Sequence, residues 1–123
     1  MTLQELYSAI DGDYTQATKV LRMEKLIDKH IRKFSQNGVV ESLLEAEKTM
    51  DAKALFESAH AMKGVCSNLG LTSLAAAASD ISEEFRPGNP RMHTDQEVSE
   101  IINGIAELYQ RTKDEIKKYE GSL

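Results

Sequence analysis

Apolar residues recur every three or four positions along most of this 123-residue chain, which is the spacing of amphipathic α-helices. Alternation of apolar and polar residues is never sustained, and β-branched residues are not clustered, so strands are not predicted. The two prolines, Pro87 and Pro90, lie together in RPGNPRMH and interrupt the pattern once. The sequence therefore predicts an all-α protein.

Two capping boxes mark the ends of this helical pattern. Thr2 and Glu5 precede a short helix expected over about residues 3–10, and Thr94 and Glu97 precede a long last helix. In such a box the threonine hydroxyl accepts a hydrogen bond from a helical N–H, and the glutamate accepts one from the threonine N–H. Local sequence thus predicts where both helices start.

The middle of the chain predicts a helix over about residues 52–69, which Asp51 caps and Gly70 closes in a left-handed conformation. Thr72 is expected to cap the helix that follows. Helices with such short connections pack as antiparallel neighbours, so we expect an antiparallel up-down four-helix bundle with an additional short N-terminal helix. Residues 1–123 are expected to form a single domain.

The segment over residues 14–34 leaves an alternative open. Its apolar positions change phase near Arg22, so it is either one helix or two joined pieces. Asn37 and Gly38 end it, and a shorter helix is expected over residues 39–47. The apolar stripe of the segment consists of Tyr14, Ala17, Val20, Leu21, Met23, Leu26, Ile27, Ile31 and Phe34.

Charge and composition narrow the function classes. The net charge of -5 argues against nonspecific nucleic-acid binding, because phosphate backbones attract basic surfaces. The N-terminus lacks a basic region followed by an apolar core, no apolar run approaches the length of a membrane span, and the single Cys66 is typical of a reducing compartment. We therefore expect a cytoplasmic protein with no nucleic-acid or membrane partner. Met1 followed by a capped helix is expected of a complete small protein.

The helix over residues 52–69 carries the residues that indicate chemistry, in the stretch AHAMKGVCSNLG. Residues three, four and seven apart share a helix face, so Lys63, Gly64 and Ser67 lie on the face of His60, opposite the apolar stripe. Phe56 and Glu57 lie one turn earlier on the same face. A glycine inside a helix costs about 1 kcal/mol relative to alanine, and close approach of another surface would account for it. A nucleophilic imidazole, an ammonium group and clearance for a partner together indicate a phosphoryl-accepting site.

A metal site is not expected from the same residues. His60, Cys66 and His93 would have to supply ligands from opposite helix faces, and no paired Cys or His spacing is present. Met62, Cys66 and Leu69 are interpreted as core. The acidic residues are expected to lie on a solvated surface.

The stretch AHAMKGVCSNLGLTSLAAAASDISEEFR resembles the signature of histidine-containing phosphotransfer (HPt) domains of bacterial two-component phosphorelays. That signature is His-x-x-Lys-Gly, then a small or polar residue, then Leu-Gly and a second amphipathic helix. The resemblance covers roughly residues 20–119. The residues that match in register are His60, Lys63, Gly64, Cys66, Leu69, Gly70 and Leu74.

The resemblance implies a phosphorelay intermediate without kinase activity. It would accept a phosphoryl group from a receiver-domain aspartate onto His60 and pass it to another receiver aspartate. Lys63 would stabilise the phosphoryl charge, Gly64 would give the receiver clearance, and Arg86 would assist receiver docking or phosphate binding, with Ser67 in support. The implied partners are response-regulator receiver domains and a hybrid sensor histidine kinase. No cofactor is implied on this chain, since the receiver would bring Mg²⁺, and a monomer suits a carrier with one open face.

The sequence departs from the family pattern at Ser82, where a Glu or Gln usually contacts the second imidazole nitrogen. Ser82 is short, so Ser79, Glu83 or a water molecule would have to orient the ring. The alternative function is a helical docking or inhibitory module that binds a receiver or kinase without being phosphorylated, and a purely structural bundle is a third. The joint presence of His60, Lys63 and Gly64 favours phosphoryl transfer.

Overall fold

The computed structural model describes all 123 residues and contains only helices, which confirms the predicted all-α class. None of the helices combines the length and the apolar composition that a membrane span requires. Seven α-helices and one 3-10 turn follow one another along the chain. They are α1 (Leu3–Ala9), α2 (Tyr14–Leu21), α3 (Glu24–Lys33), the 3-10 turn Phe34–Gln36, α4 (Val39–Glu47), α5 (Ala52–Asn68), α6 (Thr72–Phe85) and α7 (Asp95–Gly121).

Helices α4 to α7 form the predicted four-helix bundle. Helix α5 packs against α4 and α6, and α7 packs against the same two helices from the other side. Because the connections between them are short, successive helices run in opposite directions. The four helices share one hydrophobic core with α1, α2, α3 and the 3-10 turn.

The capping signals predicted from the sequence are present at both ends of the chain. Thr2 accepts a hydrogen bond from the N–H of Glu5, and Glu5 accepts one from the N–H of Thr2; Thr94 and Glu97 repeat the arrangement. Asp51 caps α5 by accepting from the N–H of Ala54. These contacts satisfy N–H groups that have no partner inside the helix.

The segment that left an alternative open forms two helices, α2 and α3. Arg22 separates them in a left-handed conformation with φ 65°, so the helix cannot continue through it. The predicted apolar stripe is wrong at Val20 and Met23, which are 39% and 55% exposed. The turn at Arg22 changes the direction of the chain and leaves these two side chains on the outside.

The N-terminal helices are attached to the turn that ends α5. The hydroxyl of Tyr7 donates to the carbonyl of Leu69 at 2.6 Å, and the N–H of Asp13 donates to the carbonyl of Gly70 at 2.7 Å. Gly70 has φ 70°, as predicted, and a Cβ there would lie 2.2 Å from the carbonyl oxygen of Asp13. Both the backbone conformation and the close packing therefore require glycine.

Thr72 does not cap α6 as predicted. Leu71 occupies the N-cap position without a side-chain hydrogen bond, and its N–H donates to the carbonyl of Cys66 at the end of α5. The Thr72 hydroxyl donates to the carbonyl of Gly70 instead, at 3.4 Å. The N-cap position therefore falls one residue earlier than the sequence predicts.

Glu84 contradicts the expectation that the acidic residues lie on a solvated surface, because its side chain is only 4% exposed. It accepts hydrogen bonds from the Arg91 guanidinium and from the N–H groups of Met92 and His93, and it pairs with the His93 ring at 2.8 Å. Burial opposes ionisation of Glu84, but these hydrogen bonds lower its pKa to about 2. The buried carboxylate of α6 therefore holds the loop before α7 in place through these hydrogen bonds.

We expect His93→Gln to lower the free energy of unfolding more at about pH 5 than at about pH 9. The hydrogen bond to Glu84 raises the pKa of His93 above its ordinary value in the folded protein. The ion pair therefore stabilises the fold fully below that ordinary value, and its contribution is lost as the pH rises through the raised pKa. Denaturant unfolding of both proteins at the two pH values measures this, with His30→Gln on the exposed part of α3 as the control. A stability loss that is the same at both pH values would contradict the prediction.

Candidate functional site

One face of α5 is held entirely in the core. Leu55, Ala59, Met62 and Cys66 have no exposed surface. Burial raises the pKa of the Cys66 thiol to about 12, so this side chain packs as a protonated apolar group. These contacts fix the rotation of α5 about its own axis and thereby decide which residues face outward.

His60, Lys63 and Gly64 lie together on the opposite face, where His60 and Gly64 are exposed and Lys63 is half-buried. Gly64 is one helical turn beyond His60, about 6 Å along the axis. A Cβ at Gly64 would meet no atom within 4 Å. The glycine is therefore not required by packing inside this chain, and it leaves open space beside the imidazole.

The imidazole of His60 stacks on the ring of Phe56, with the ring centroids 5.7 Å apart and the planes at 22°. The guanidinium of Arg86, just after α6, lies 5.5 Å from the Phe56 ring centroid. Arg86 in turn pairs with Glu83 at 2.7 Å. The contacts join the C-terminal end of α6 to the histidine on α5.

Lys63 forms no salt bridge within the chain, although Glu83 lies near enough to feel its charge. The hydrogen bond from Arg86 is the largest influence that lowers the pKa of Glu83, and the charge of Lys63 lowers it further. Glu83 is thus ionised near neutral pH and is occupied by Arg86. The Lys63 ammonium remains available to an anion on the His60 face.

Neither of the two serines named as supporting residues contacts His60 through a hydrogen bond. Ser82 is fully buried, and its hydroxyl has no hydrogen-bond partner. Ser67 lies about 10 Å along the helix from His60, where it borders a shallow cleft with Gln16 and Thr72. Neither serine side chain forms a hydrogen bond to the imidazole.

Phe56 is a neighbour of His60 that helical spacing places one turn earlier, but the contact between the two rings was not predicted. Its spacing places it among the apolar positions of α5, and it does pack against the core, but it is also four residues before His60 and shares its face. The spacing of four residues between an aromatic side chain and an exposed histidine is the only signal of the stack in the sequence. The partial burial of Phe56 and the position of Arg86 over its ring could be seen only in the structure.

No group of three or more His, Cys, Asp or Glu side chains is arranged to hold a metal ion. His93 is bonded to the buried Glu84, and Cys66 is enclosed in the core. The His60 face presents an ammonium group and an imidazole rather than a set of carboxylates. Mg²⁺ binds to oxygen ligands, so the residues of this face do not fit it.

The model of the family described as Hpt domain matches residues 26–115, which is more than half of the chain. The matched range contains α4, α5 and α6, with all of the residues on the His60 face. Helices α1 and α2 lie outside it. No curated protein and no solved structure matches the chain.

We expect Ser82→Ala to leave the free energy of unfolding unchanged or to raise it by about 1 kcal/mol. A buried hydroxyl without a partner costs free energy, and alanine removes it while also favouring the helix. Thermal or denaturant unfolding measures the change, with Ser58→Ala on α5 as the control. Ser58 donates to the carbonyl of Ala54 at 2.6 Å, so its replacement removes a hydrogen bond that is made. Destabilisation by Ser82→Ala of 1 kcal/mol or more would indicate that the hydroxyl has a partner in solution.

Proposed function

We propose that this chain, which belongs to the Hpt domain family, accepts a phosphoryl group from a receiver-domain aspartate on His60 and passes it to the aspartate of another receiver domain. The family implies phosphotransfer in a phosphorelay, with receiver domains and histidine kinases as partners, and its domains are phosphocarriers rather than catalysts. One observation carries the assignment to His60. It is an exposed imidazole on a helix whose opposite face is fixed in the core, next to a glycine that packing does not require.

The reaction exchanges one bond to phosphorus for another. A lone pair on a solvent-facing ring nitrogen of His60 attacks the phosphorus of the aspartyl phosphate. The nitrogen–phosphorus bond forms as the phosphorus–oxygen bond breaks, and the aspartate carboxylate leaves with the electron pair. The second transfer reverses this sequence on another receiver, so His60 returns to its starting state.

Lys63 supports this proposal through its charge. The phosphoryl group carries negative charge before, during and after transfer, and an ammonium group one helical turn from His60 lowers its energy. Lys63 has no salt bridge within the chain that would have to be broken first. As the family resemblance implies, Mg²⁺ is expected on the receiver domain rather than on this chain.

Gly64 supports the proposal through the space it leaves. The donor aspartate belongs to a folded domain, and the reacting atoms must come within about 3.5 Å of each other. A side chain at position 64 would project from the same face as His60 and meet the incoming domain. We expect a monomer in the cytoplasm that presents this one face to each partner in turn.

The proposed function predicts that a phosphorylated receiver domain transfers label to the wild-type chain and not to His60→Gln. Phosphate bound to a histidine nitrogen is labile to acid and stable to base, which distinguishes it from phosphate on serine or aspartate. Gel electrophoresis of the two chains after acid and base treatment measures the transfer. His30→Gln, which changes another exposed histidine, serves as the control and is expected to accept label like wild type.

Two outcomes would overturn the assignment. If wild type gains no label under conditions that label another Hpt domain, the chain is not a phosphocarrier. Binding of the receiver without label would then support the docking module. If label persists in His60→Gln, the phosphoryl group is on another residue.

We expect Gly64→Ala to raise the free energy of unfolding by about 1 kcal/mol while it slows transfer from the receiver about fivefold or more. Alanine favours the helix, and its methyl group meets no atom of this chain. Crowding of the receiver by one methyl group costs about 1–3 kcal/mol, which corresponds to at least a several-fold loss of rate. Denaturant unfolding and rapid-quench transfer kinetics measure the two effects.

Gly104→Ala is the matched control for this variant. Gly104 is also an exposed glycine inside a helix with no atom within 4 Å of a Cβ, but it lies on α7, across the bundle from α5. It is expected to gain similar stability and to keep the wild-type rate. Equal transfer rates for Gly64→Ala and Gly104→Ala would contradict the proposed clearance.

A further inference from the structure

We propose that Phe56 is a positioning residue for His60, and that Arg86 and Glu83 hold Phe56 in place; this inference rests on the proposed function. Efficient transfer requires the imidazole to keep one orientation while two different domains approach it. An exposed histidine otherwise exchanges among several side-chain rotamers. Within this chain, the stack on Phe56 is the contact that restricts the plane of the ring.

The ring of Phe56 is itself fixed from two directions. Its side chain is half-buried and packs against the hydrophobic core, so its base moves with α5 and the bundle. The Arg86 guanidinium lies 5.5 Å from the ring centroid, within the range of a cation–π contact. Phe56 therefore presents a fixed surface to the imidazole.

Arg86 is held in turn by Glu83. One carboxylate oxygen, Oε1, accepts hydrogen bonds from both Arg86 Nε at 3.1 Å and Arg86 Nη2 at 2.7 Å. Asn89 donates to the carbonyl of Glu83 at 3.0 Å and ties the following loop to the same point. The end of α6 thus supports the histidine on α5 through a continuous series of contacts.

A stack restrains a histidine in a different way from a hydrogen bond. The contact with Phe56 uses the face of the imidazole, whereas the lone pair and the N–H of the ring lie in its plane. Neither ring nitrogen of His60 forms a hydrogen bond within the chain, so neither is fixed as the donor. Ser82 cannot supply the second restraint, because its buried hydroxyl forms no hydrogen bond to the ring.

The first measurement is NMR spectroscopy of the histidine ring protons in wild type, Phe56→Leu and Phe56→Tyr. The ring current of Phe56 should shift the ring protons of His60 upfield of those of His30, an exposed histidine in the same chain, and nuclear Overhauser effects should join the two stacked rings. Phe56→Leu should abolish both signatures and Phe56→Tyr should retain them. Leucine keeps an apolar side chain against the core, so the comparison isolates the aromatic face.

The second measurement is single-turnover transfer from a phosphorylated receiver domain to the same three proteins. We expect Phe56→Leu to reduce the rate threefold to tenfold, the range that corresponds to the coupling of an aromatic pair. Phe56→Tyr should transfer at the wild-type rate. The rate of Arg86→Gln should lie between the rates of Phe56→Leu and wild type. Because tyrosine also keeps the volume of phenylalanine, the rates count for the positioning role only if they follow the ring-current shift of His60 across the same variants.

The outcomes separate this inference from the proposed function. If wild type accepts the phosphoryl group and Phe56→Leu does so at the same rate, the positioning role is overturned while the phosphocarrier stands. If wild type accepts no phosphoryl group, the proposed function fails. If the ring protons of His60 show neither an upfield shift nor contacts to Phe56, the stack itself is overturned. If Phe56→Leu does not fold, the nuclear Overhauser effects between residues 56 and 60 in wild type and in Phe56→Tyr decide the question. Rotamer averaging of the His60 side chain in wild type would then contradict the inference.

Discussion

The structure depends on the burial of one face of α5. Ala59 and Met62, which flank His60, and Cys66 beyond them are completely enclosed, so the helix has one rotational setting in the bundle. A rotation by a single residue, about 100°, would expose Met62 and bury His60. Loss of a buried side chain as large as Met62 costs about 2–5 kcal/mol. The outward direction of the proposed phosphoacceptor is therefore a consequence of core packing.

The rest of the chain supports that helix at both ends. The N-terminal helices are bonded to the turn after α5 through Tyr7 and Asp13, and the end of α6 reaches the histidine through Arg86. A glycine at position 64 weakens the same helix by about 1 kcal/mol. A firmly packed helix tolerates this loss, and the proposed docking of a receiver domain would use the open space. The packed face of α5 thus fixes the direction of the proposed site, whereas the outward face carries a glycine that lowers the stability of the helix.

Much of this arrangement could be predicted from the sequence, because it depends on local signals. Apolar spacing predicts the bundle, the capping boxes predict two helix starts, and the face shared by His60, Lys63 and Gly64 predicts the site. Local signals fail where a tertiary contact decides. Arg22 adopts a left-handed conformation without being glycine, and Glu84 is buried because four hydrogen bonds from the following loop satisfy it. The stack on His60 was likewise not predictable, since spacing places an aromatic ring on a face but does not bring two rings into contact.

The most direct measurement of the central claim is tandem mass spectrometry of the intact chain after exposure to a phosphorylated receiver domain, at neutral to basic pH and with fragmentation that preserves bonds to nitrogen. The account predicts one phosphoryl group, located on His60. The same sample chased with an unphosphorylated receiver should lose that group. A phosphoryl group on His30 or His93, or a chain that remains unmodified while the receiver binds, would contradict it.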